Sequence, residues 1–289
     1  MAGYHQTRID PKSFHVSQFR FLWYLLPLAA FMILPILYIF STAFKPADEL
    51  FAFPPQFLVR KPTLLNFVNL FRQTAQSGIP FSRYLFNSLL ITIVGIALTL
   101  LITSTAAFGL SKLKFRWKKP LFTINQYALM FVPTAVTIPR FLMLVNLGLY
   151  DTYFAHVIPL LAMPVGLFLV KQFVDQVPDE LLEAAKIDGA NEYQAFRHVV
   201  LPIILPALAT VMILSFQLFW NNEGTSQLYI NDDAKKTIAF YLSTITSGSG
   251  VAGAGIGAAA SLIMFLPNIV LFIVIQNNVM DTMAHSGIK

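Results

Sequence analysis

Six stretches of this sequence, residues 21–44, 85–110, 121–139, 153–170, 199–220 and 257–280, contain no Asp, Glu, Lys or Arg. A helix needs about 20 predominantly apolar residues to cross the hydrocarbon core of a bilayer. Inside that core, backbone polar groups must be satisfied within the segment, so spanning structures are helices or closed barrels. The pattern predicts an all-α integral membrane protein with six transmembrane helices. Charged residues make up only 12% of the chain, about half the usual ~25% of soluble domains, which argues against a water-soluble enzyme. The first run is too long for a cleavable signal and has no small-residue cleavage site before Lys45, so it is expected to remain as a helix. With no cysteine in the chain, disulfides, thiolate metal sites and cysteine nucleophiles are excluded.

The formal charge is +6, and its placement sets an orientation. If the loops alternate sides, twelve of the twenty Lys and Arg fall on the set formed by residues 1–20, 111–120, 171–198 and 281–289. The densest group is Lys112, Lys114, Arg116, Lys118 and Lys119, with no acid among them and with Phe115 and Trp117 interleaved. Basic residues concentrate on cytoplasmic loops and Trp anchors at the interface, so both termini are expected in the cytoplasm. A short hairpin between two spans has little surface for a duplex, and no nucleic-acid partner is expected. The organisation is then a cytoplasmic tail (1–20), a six-helix membrane domain (21–280) and a second cytoplasmic tail (281–289).

Nine prolines lie in or beside the spans: Pro27, Pro35, Pro133, Pro139, Pro159, Pro164, Pro202, Pro206 and Pro267. Membrane bundles tolerate such kinks because neighbouring helices or water satisfy the freed carbonyls. Between Gly248 and Ser261 the sequence turns small. Gly253 and Gly257 form a small-xxx-small pair, read either as a loop merging into a tightly packed helix or as a face for another helix.

Residues 178–206, PDELLEAAKIDGANEYQAFRHVVLPIILP, are too ordered in pattern for a simple connector. Pro178 suits a helix start, Asp179 and Glu180 suit the positive end of a helix dipole, and Gly189 suits a C-terminal cap. Asn191 followed by Gln194 three residues later is a capping-box arrangement. The loop therefore reads as helix, glycine corner, helix. Leu181, Ala184 and Ala185 share one face of the first helix, and Tyr193, Phe196 and Val200 one face of the second. An apolar face projecting from the membrane needs a partner protein or the membrane surface to cover it.

The run Glu183-Ala184-Ala185 with Asp188-Gly189 and then Leu201-Pro202 resembles the EAA loop of ABC importer permeases, in the form found in their carbohydrate-uptake branch. Landmarks along nearly the whole chain fit in order. They are Phe44-Lys45-Pro46, Pro54-Pro55, Asn66-Phe67, Asn87-Ser88, Ala106-Ala107-Phe108, Leu147-Gly148-Leu149, Trp220-Asn221 and Gly287-Ile288-Lys289. The chain is similar to the shorter, six-span type of permease in maltose-type systems. Ser111-Lys112 and Asn222 depart from the pattern, where Ala-Arg and an acid are common.

The resemblance implies a MetI-like permease bundle in a bacterial inner membrane, with a second permease subunit, two ATPase subunits and an extracytoplasmic solute-binding protein as partners. It implies no enzymatic activity and no cofactor on this chain, with ATP and Mg held by the ATPase subunits; a P-loop motif, G-x-x-x-x-G-K-[ST], is indeed absent from the sequence. Glu183, Ala184, Ala185, Asp188 and Gly189 would form the coupling element, Glu183 meeting a basic group in an ATPase cleft. The tail 281–289 would reach towards the same interface.

A proton- or sodium-coupled carrier is the rival from another class, but the six runs offer only His156 as an ionisable group. No cluster with metal-ligand spacing supports a membrane enzyme. Polar and aromatic groups in or at the ends of the runs, Asn125, Gln126, Tyr127, Gln217, Trp220, Asn221, Asn268 and Gln276, are candidates for a solute pathway. With no charge in any run they predict a neutral sugar or oligosaccharide, Gln217 and Trp220 being the leading contacts. For each of these residues, hydrogen bonding between helices is the alternative role.

Overall fold

The structure is a computed structural model, and it describes residues 18–76, 78–248 and 250–286. Its regular elements among these residues are all helical. Three helices are long and apolar enough to cross a membrane without interruption: Leu22–Ala43, Phe81–Lys112 and Gly253–Gln276. Three further crossings are possible only as bent pairs: Lys118–Ala128 with Pro133–Asn146 at 109°, Phe154–Leu161 with Pro164–Asp175 at 48°, and Glu192–Ile203 with Leu205–Trp220 at 78°. Six crossings agree with the expectation from the sequence, three as continuous helices and three if each bent pair is one span.

Proline chemistry locates two of the three breaks. The residue before a proline is driven out of the helical region by the ring's Cδ. Val132 (ψ 129°) before Pro133 and Met163 (ψ 82°) before Pro164 have left it accordingly. At the third break Ile204 separates helices that carry Pro202 and Pro206 in their first turns. Pro27, Pro35 and Pro267 sit inside continuous helices. The third segment extends to Asn146 rather than ending at residue 139, so it includes Arg140, half-buried. The fourth similarly includes Lys171 and Asp175, which pair with each other at 2.6 Å. Charge-free membrane segments, as expected from the sequence, therefore hold only for the shorter runs.

The chain divides into two compact units. The first contains the Gln18–Ala43 helix, the segment that follows it to Leu70, and residues 249–262. Here the amide of Asn66 donates to the carbonyls of Ala43 (2.9 Å) and Lys45 (2.8 Å). Lys45 is buried, its ammonium donating to the Gln56 carbonyl and lying 5.6 Å from the centre of the Tyr38 ring. A Cβ on Gly255 would come within 2.7 Å of Asn66 Oδ1 and 2.8 Å of Leu50 Cδ1. Ala43, Ala258 and Ala259 pack together with Phe44, Phe67 and Leu262. The small-residue stretch thus serves close packing within this unit, and the Phe-Lys-Pro and Asn-Phe landmarks are the parts of its clasp.

The second unit spans 71–248 and 263–289 and is organised around the Phe81–Lys112 helix. One core joins Ala107 and Phe108 of that helix to Val170 and Val174, to Leu208 and Val211, and to Leu182, Phe196 and Val200 of the 178–206 loop. A second core, at Ile91, Val157, Leu160 and Phe219, lies further along it.

Candidate coupling loop and polar positions of the membrane domain

Residues 179–203 form the helix-corner-helix element. The Asp179–Ile187 helix starts after Pro178 with Asp179 and Glu180 in its first turn, where carboxylates complement the exposed N–H groups. It ends at Gly189, whose φ of +87° is open to glycine at little cost. The Ala190 N–H bonds the Ala185 carbonyl (2.9 Å) and the Gly189 N–H that of Lys186 (3.0 Å), a Schellman closure of the last turn. Asn191 and Gln194 then form the reciprocal capping box, at 2.8 and 2.9 Å. Lys186 and Glu192 bridge the corner at 2.5 Å.

The burial pattern corrects the apolar faces expected from the sequence. Leu182, Phe196 and Val200 are buried, with Ala185 packed against them, and Phe108 meets Phe196 ring to ring at 5.2 Å. Leu181, Ala184 and Tyr193 point outward, and Ile187 is 86% exposed. One helix carries both faces because Leu182 and Ala185 are a turn apart, as are Leu181 and Ala184. The inner face locks the loop to the membrane helices, while the outer face is uncovered. Glu183 and Asp188 are exposed beside that outer face, and no ion pair links either to another described residue.

A latch that the sequence did not disclose joins this element to the 81–112 helix. Lys112 Nζ donates to Asp179 Oδ1 (2.7 Å) and to the Val177 carbonyl (2.5 Å), and Ser111 donates to Asp175. The Ser111-Lys112 departure from the family pattern is therefore a pair of fasteners. The Lys112 hydrogen bond holds the Asp179 carboxyl below its ordinary pKa. A depressed carboxyl contributes stability above its ordinary value of 3.8 and loses it as pH falls through the lowered one, so the latch stays closed throughout the neutral range. Its other half is the Val177 carbonyl bond, made by an ammonium that is largely buried. Replacing Lys112 with Ala is expected to speed amide exchange across residues 180–187 several-fold, since the Asp179 and Val177 fasteners are lost together, whereas Lys112→Arg restores protection. Hydrogen-exchange mass spectrometry checks this.

At the opposite end of the 81–112 helix a polar network fixes residues 222–238. The Asn87 amide donates to the carbonyls of Ala234 and Lys236, both at 2.9 Å, and Ser88 accepts from the Ile238 N–H at 2.8 Å. Tyr153 donates to Asn87 Oδ1 (3.0 Å), and Arg83 reaches Tyr153 (3.1 Å) and the Ala234 carbonyl (3.2 Å). His156, fully buried, contacts Thr225 Oγ1 through Nδ1 (2.9 Å) and the Lys235 carbonyl through Nε2 (3.1 Å). A carbonyl can only accept, so Nε2 carries the proton and Nδ1 accepts from Thr225. Asp151 accepts from the N–H groups of Asp232 and Asn231, and these bonds, led by that of Asp232, lower its pKa. Asn222, the second departure, accepts from the Thr225 N–H at 2.8 Å just ahead of the next helix.

The eight pathway candidates separate into two groups. Trp220 is 1% exposed, and its indole N–H donates to the Met264 carbonyl at 3.0 Å. Asn268 donates to the same carbonyl at 3.0 Å. The Trp220 bond ties two helices together, whereas the Asn268 bond stays within its own helix, and the expectation that Trp220 contacts solute is corrected: its polar atom is spent and its ring is stacked on Phe216. Asn125 is half-buried, its amide committed to the Pro164 carbonyl at 3.1 Å. Gln126, Tyr127, Gln217 and Asn221 are exposed, and Gln276 is half-buried. Gly287, Ile288 and Lys289 lie outside the described residues.

Comparison with known proteins agrees with this architecture. Residues 100–279 match the family model described as "Binding-protein-dependent transport system inner membrane component". The chain is 31% identical over 231 residues to the polygalacturonan/rhamnogalacturonan transport system permease protein YtcP of Bacillus subtilis (strain 168), covering 80% of this chain and 78% of that protein. It is 28% identical to the diacetylchitobiose uptake system permease protein DasC of Streptomyces coelicolor, over 89% of this chain and 92% of that one. Its fold matches a chain in the crystal structure of a bacterial ABC transporter involved in the import of the acidic polysaccharide alginate, with TM-score 0.77 and 22% identity over 92% of this chain and 98% of that chain. The family match covers more than half of the sequence, including the helix-corner-helix loop and all three broken crossings. This chain belongs to the binding-protein-dependent transport system inner membrane components, the permease family of ABC importers.

Proposed function

We propose that this permease carries a saccharide across the inner membrane, driven by two ATPase subunits, one of which docks on residues 179–203. The observation that carries the proposal is the two-faced loop. Its inner face is built into the membrane core through Leu182, Phe196 and Val200, and its outer face, Leu181, Ala184, Ile187 and Tyr193, is uncovered. A load on the outer face is transmitted as rigid-body movement because packed cores do not deform continuously. ATP and Mg belong to the ATPase subunits in this scheme, and Glu183 offers a carboxylate to a basic group there. A second permease completes the pathway, and a solute-binding protein delivers the cargo.

A saccharide is supported by the relatives, whose names include lactose, arabinooligosaccharide, diacetylchitobiose and polygalacturonan transport. Arg140 removes the ground on which a neutral cargo was expected, and the relatives include transporters of neutral and of acidic sugars, so the proposal covers saccharides as a class. Gln217 and Asn221, exposed one turn apart, are the pathway residues we retain from the fifth segment, with Gln126 and Tyr127 from the third.

The scheme requires the loop, the 112–119 cluster and both termini to face the cytoplasm. Ser13→Cys, in a chain otherwise free of cysteine, is expected to escape an impermeant maleimide in right-side-out vesicles and to react after permeabilisation. Labelling before permeabilisation would reverse the orientation and remove the loop from the ATPase side.

A further inference from the structure

We infer that the crevice beside the 112–119 basic cluster holds an acyl chain of an anionic phospholipid, with the headgroup on that cluster. This goes beyond the transport scheme and does not depend on the cargo. A cavity of about 540 Å³ lies against the 81–112 helix, walled by Ile102, Ala106, Phe115, Ile124, Ala162 and Leu167 among others, within the range of about 300–1,000 Å³ typical of ligand pockets. It sits where two proline breaks fall, at Ala162–Met163 and beyond Ala128, so the helices that would close it turn away.

The wall is almost wholly apolar, a poor match for a sugar's hydroxyl groups. Of its polar side chains, Thr103 donates to the Thr99 carbonyl at 2.6 Å and Asn125 to the Pro164 carbonyl at 3.1 Å. Every other lining residue is apolar or glycine. A hydrocarbon chain needs no hydrogen-bond partner and matches such a surface. Gly109 also lines the crevice, and a Cβ built there meets nothing within 4 Å, so the space begins at the helix backbone.

The charge at its edge selects the lipid. Phe115, a wall residue, lies between Lys114 and Arg116, with Lys119 one turn further. Lys112 is committed to Asp179 and Val177, and Lys118 donates to the Ser111 carbonyl at 2.5 Å. Lys114, Arg116 and Lys119 are exposed, and none is ion-paired among the described residues. No acid lies between 111 and 120. Three exposed cations that form no ion pair among the described residues flank Phe115 of this apolar wall, and they complement a phosphate headgroup whose tail runs along it.

The test uses the full chain purified from membranes and exchanged into nanodiscs of defined composition, with bound lipid counted by native mass spectrometry after detergent release. The probes are phosphatidylglycerol and phosphatidylcholine carrying the same acyl chains. The chain is expected to retain phosphatidylglycerol at least tenfold over phosphatidylcholine. Gly109→Leu, which fills the crevice while improving helix propensity, should lose retention of both lipids. Replacing Lys114, Arg116 and Lys119 together with Ala should abolish the preference and leave weak, equal retention. Equal retention of the two lipids by the unaltered chain, or unchanged retention in Gly109→Leu, would overturn the inference. So would crosslinking of a photoactivatable Gly109→Cys adduct in the assembled transporter to another protein chain in place of phosphatidylglycerol.

Discussion

Glu183→Lys and Gly189→Val are each expected to reduce ATP hydrolysis stimulated by loaded binding protein to the basal rate, while the chain still reaches the membrane. The two act by different routes. Gly189 holds φ at +87° with nothing within 4 Å of an added Cβ, so a side chain there meets no clash and its cost is conformational. Forcing a β-branched residue into the left-handed region costs about 1–3 kcal/mol, and relaxing it breaks the bonds from Ala190 to Ala185 and from Gly189 to Lys186. Asn, which tolerates that region, should retain most of the coupling at the same site. Glu183 is exposed and unpaired within the described chain, so its reversal should leave thermal stability unchanged and act only where a partner meets it. ATPase assays of the assembled transporter, with melting of the permease as control, separate the routes. Parental stimulation in both variants would show that residues 179–203 are not the coupling element.

His156→Ala should be the most destabilising single substitution in the network around residues 222–238, by about 3–5 kcal/mol for a cavity plus an unsatisfied part-buried carbonyl. Its ring is fully buried, and its removal leaves the Lys235 carbonyl and the Thr225 hydroxyl without their shared partner. Residues 222–238, which also rest on Asn87 and Ser88, would lose their central support. His156→Gln, whose amide N–H can reach the Lys235 carbonyl, should recover about half of the loss in thermal stability. The pair also separates structure from proton coupling. A carrier using His156 would lose solute accumulation in both variants, whereas a structural His156 predicts that the Gln variant, once folded, transports across about pH 5–8 without a new pH dependence.

The parts of this fold legible in the sequence are those set by local chemistry. Apolar run length marked the crossings, and Pro178, Gly189, Asn191 and Gln194 marked the loop's helices because capping acts within a few residues. Pro133 and Pro164 were visible too, but a proline announces a break without fixing its angle; whether a segment bends by 48° or 109° depends on what it packs against. The inward choice of Leu182 over Leu181 was illegible for the same reason, since the helix is apolar on two sides and only the Phe108, Phe196 and Val200 core decides. Lys112 looked like one more orienting charge because its partner Asp179 is 67 residues away. Trp220 looked like a sugar platform because nothing local reveals that the Met264 carbonyl, 44 residues on, takes its N–H.

Uptake by the reconstituted complex tests the central claim most directly. The permease, copurified with its ATPase subunits and second permease, is placed in proteoliposomes containing ATP. Labelled neutral oligosaccharides, uronic-acid oligosaccharides, amino acids and peptides are then offered with the cognate binding protein outside. The account predicts ATP-dependent accumulation of a saccharide from one of the first two groups, abolished by Glu183→Lys and weakened by Gln217→Ala. Accumulation of an amino acid or peptide with no response to any saccharide, or saccharide uptake that continues without ATP, would contradict it.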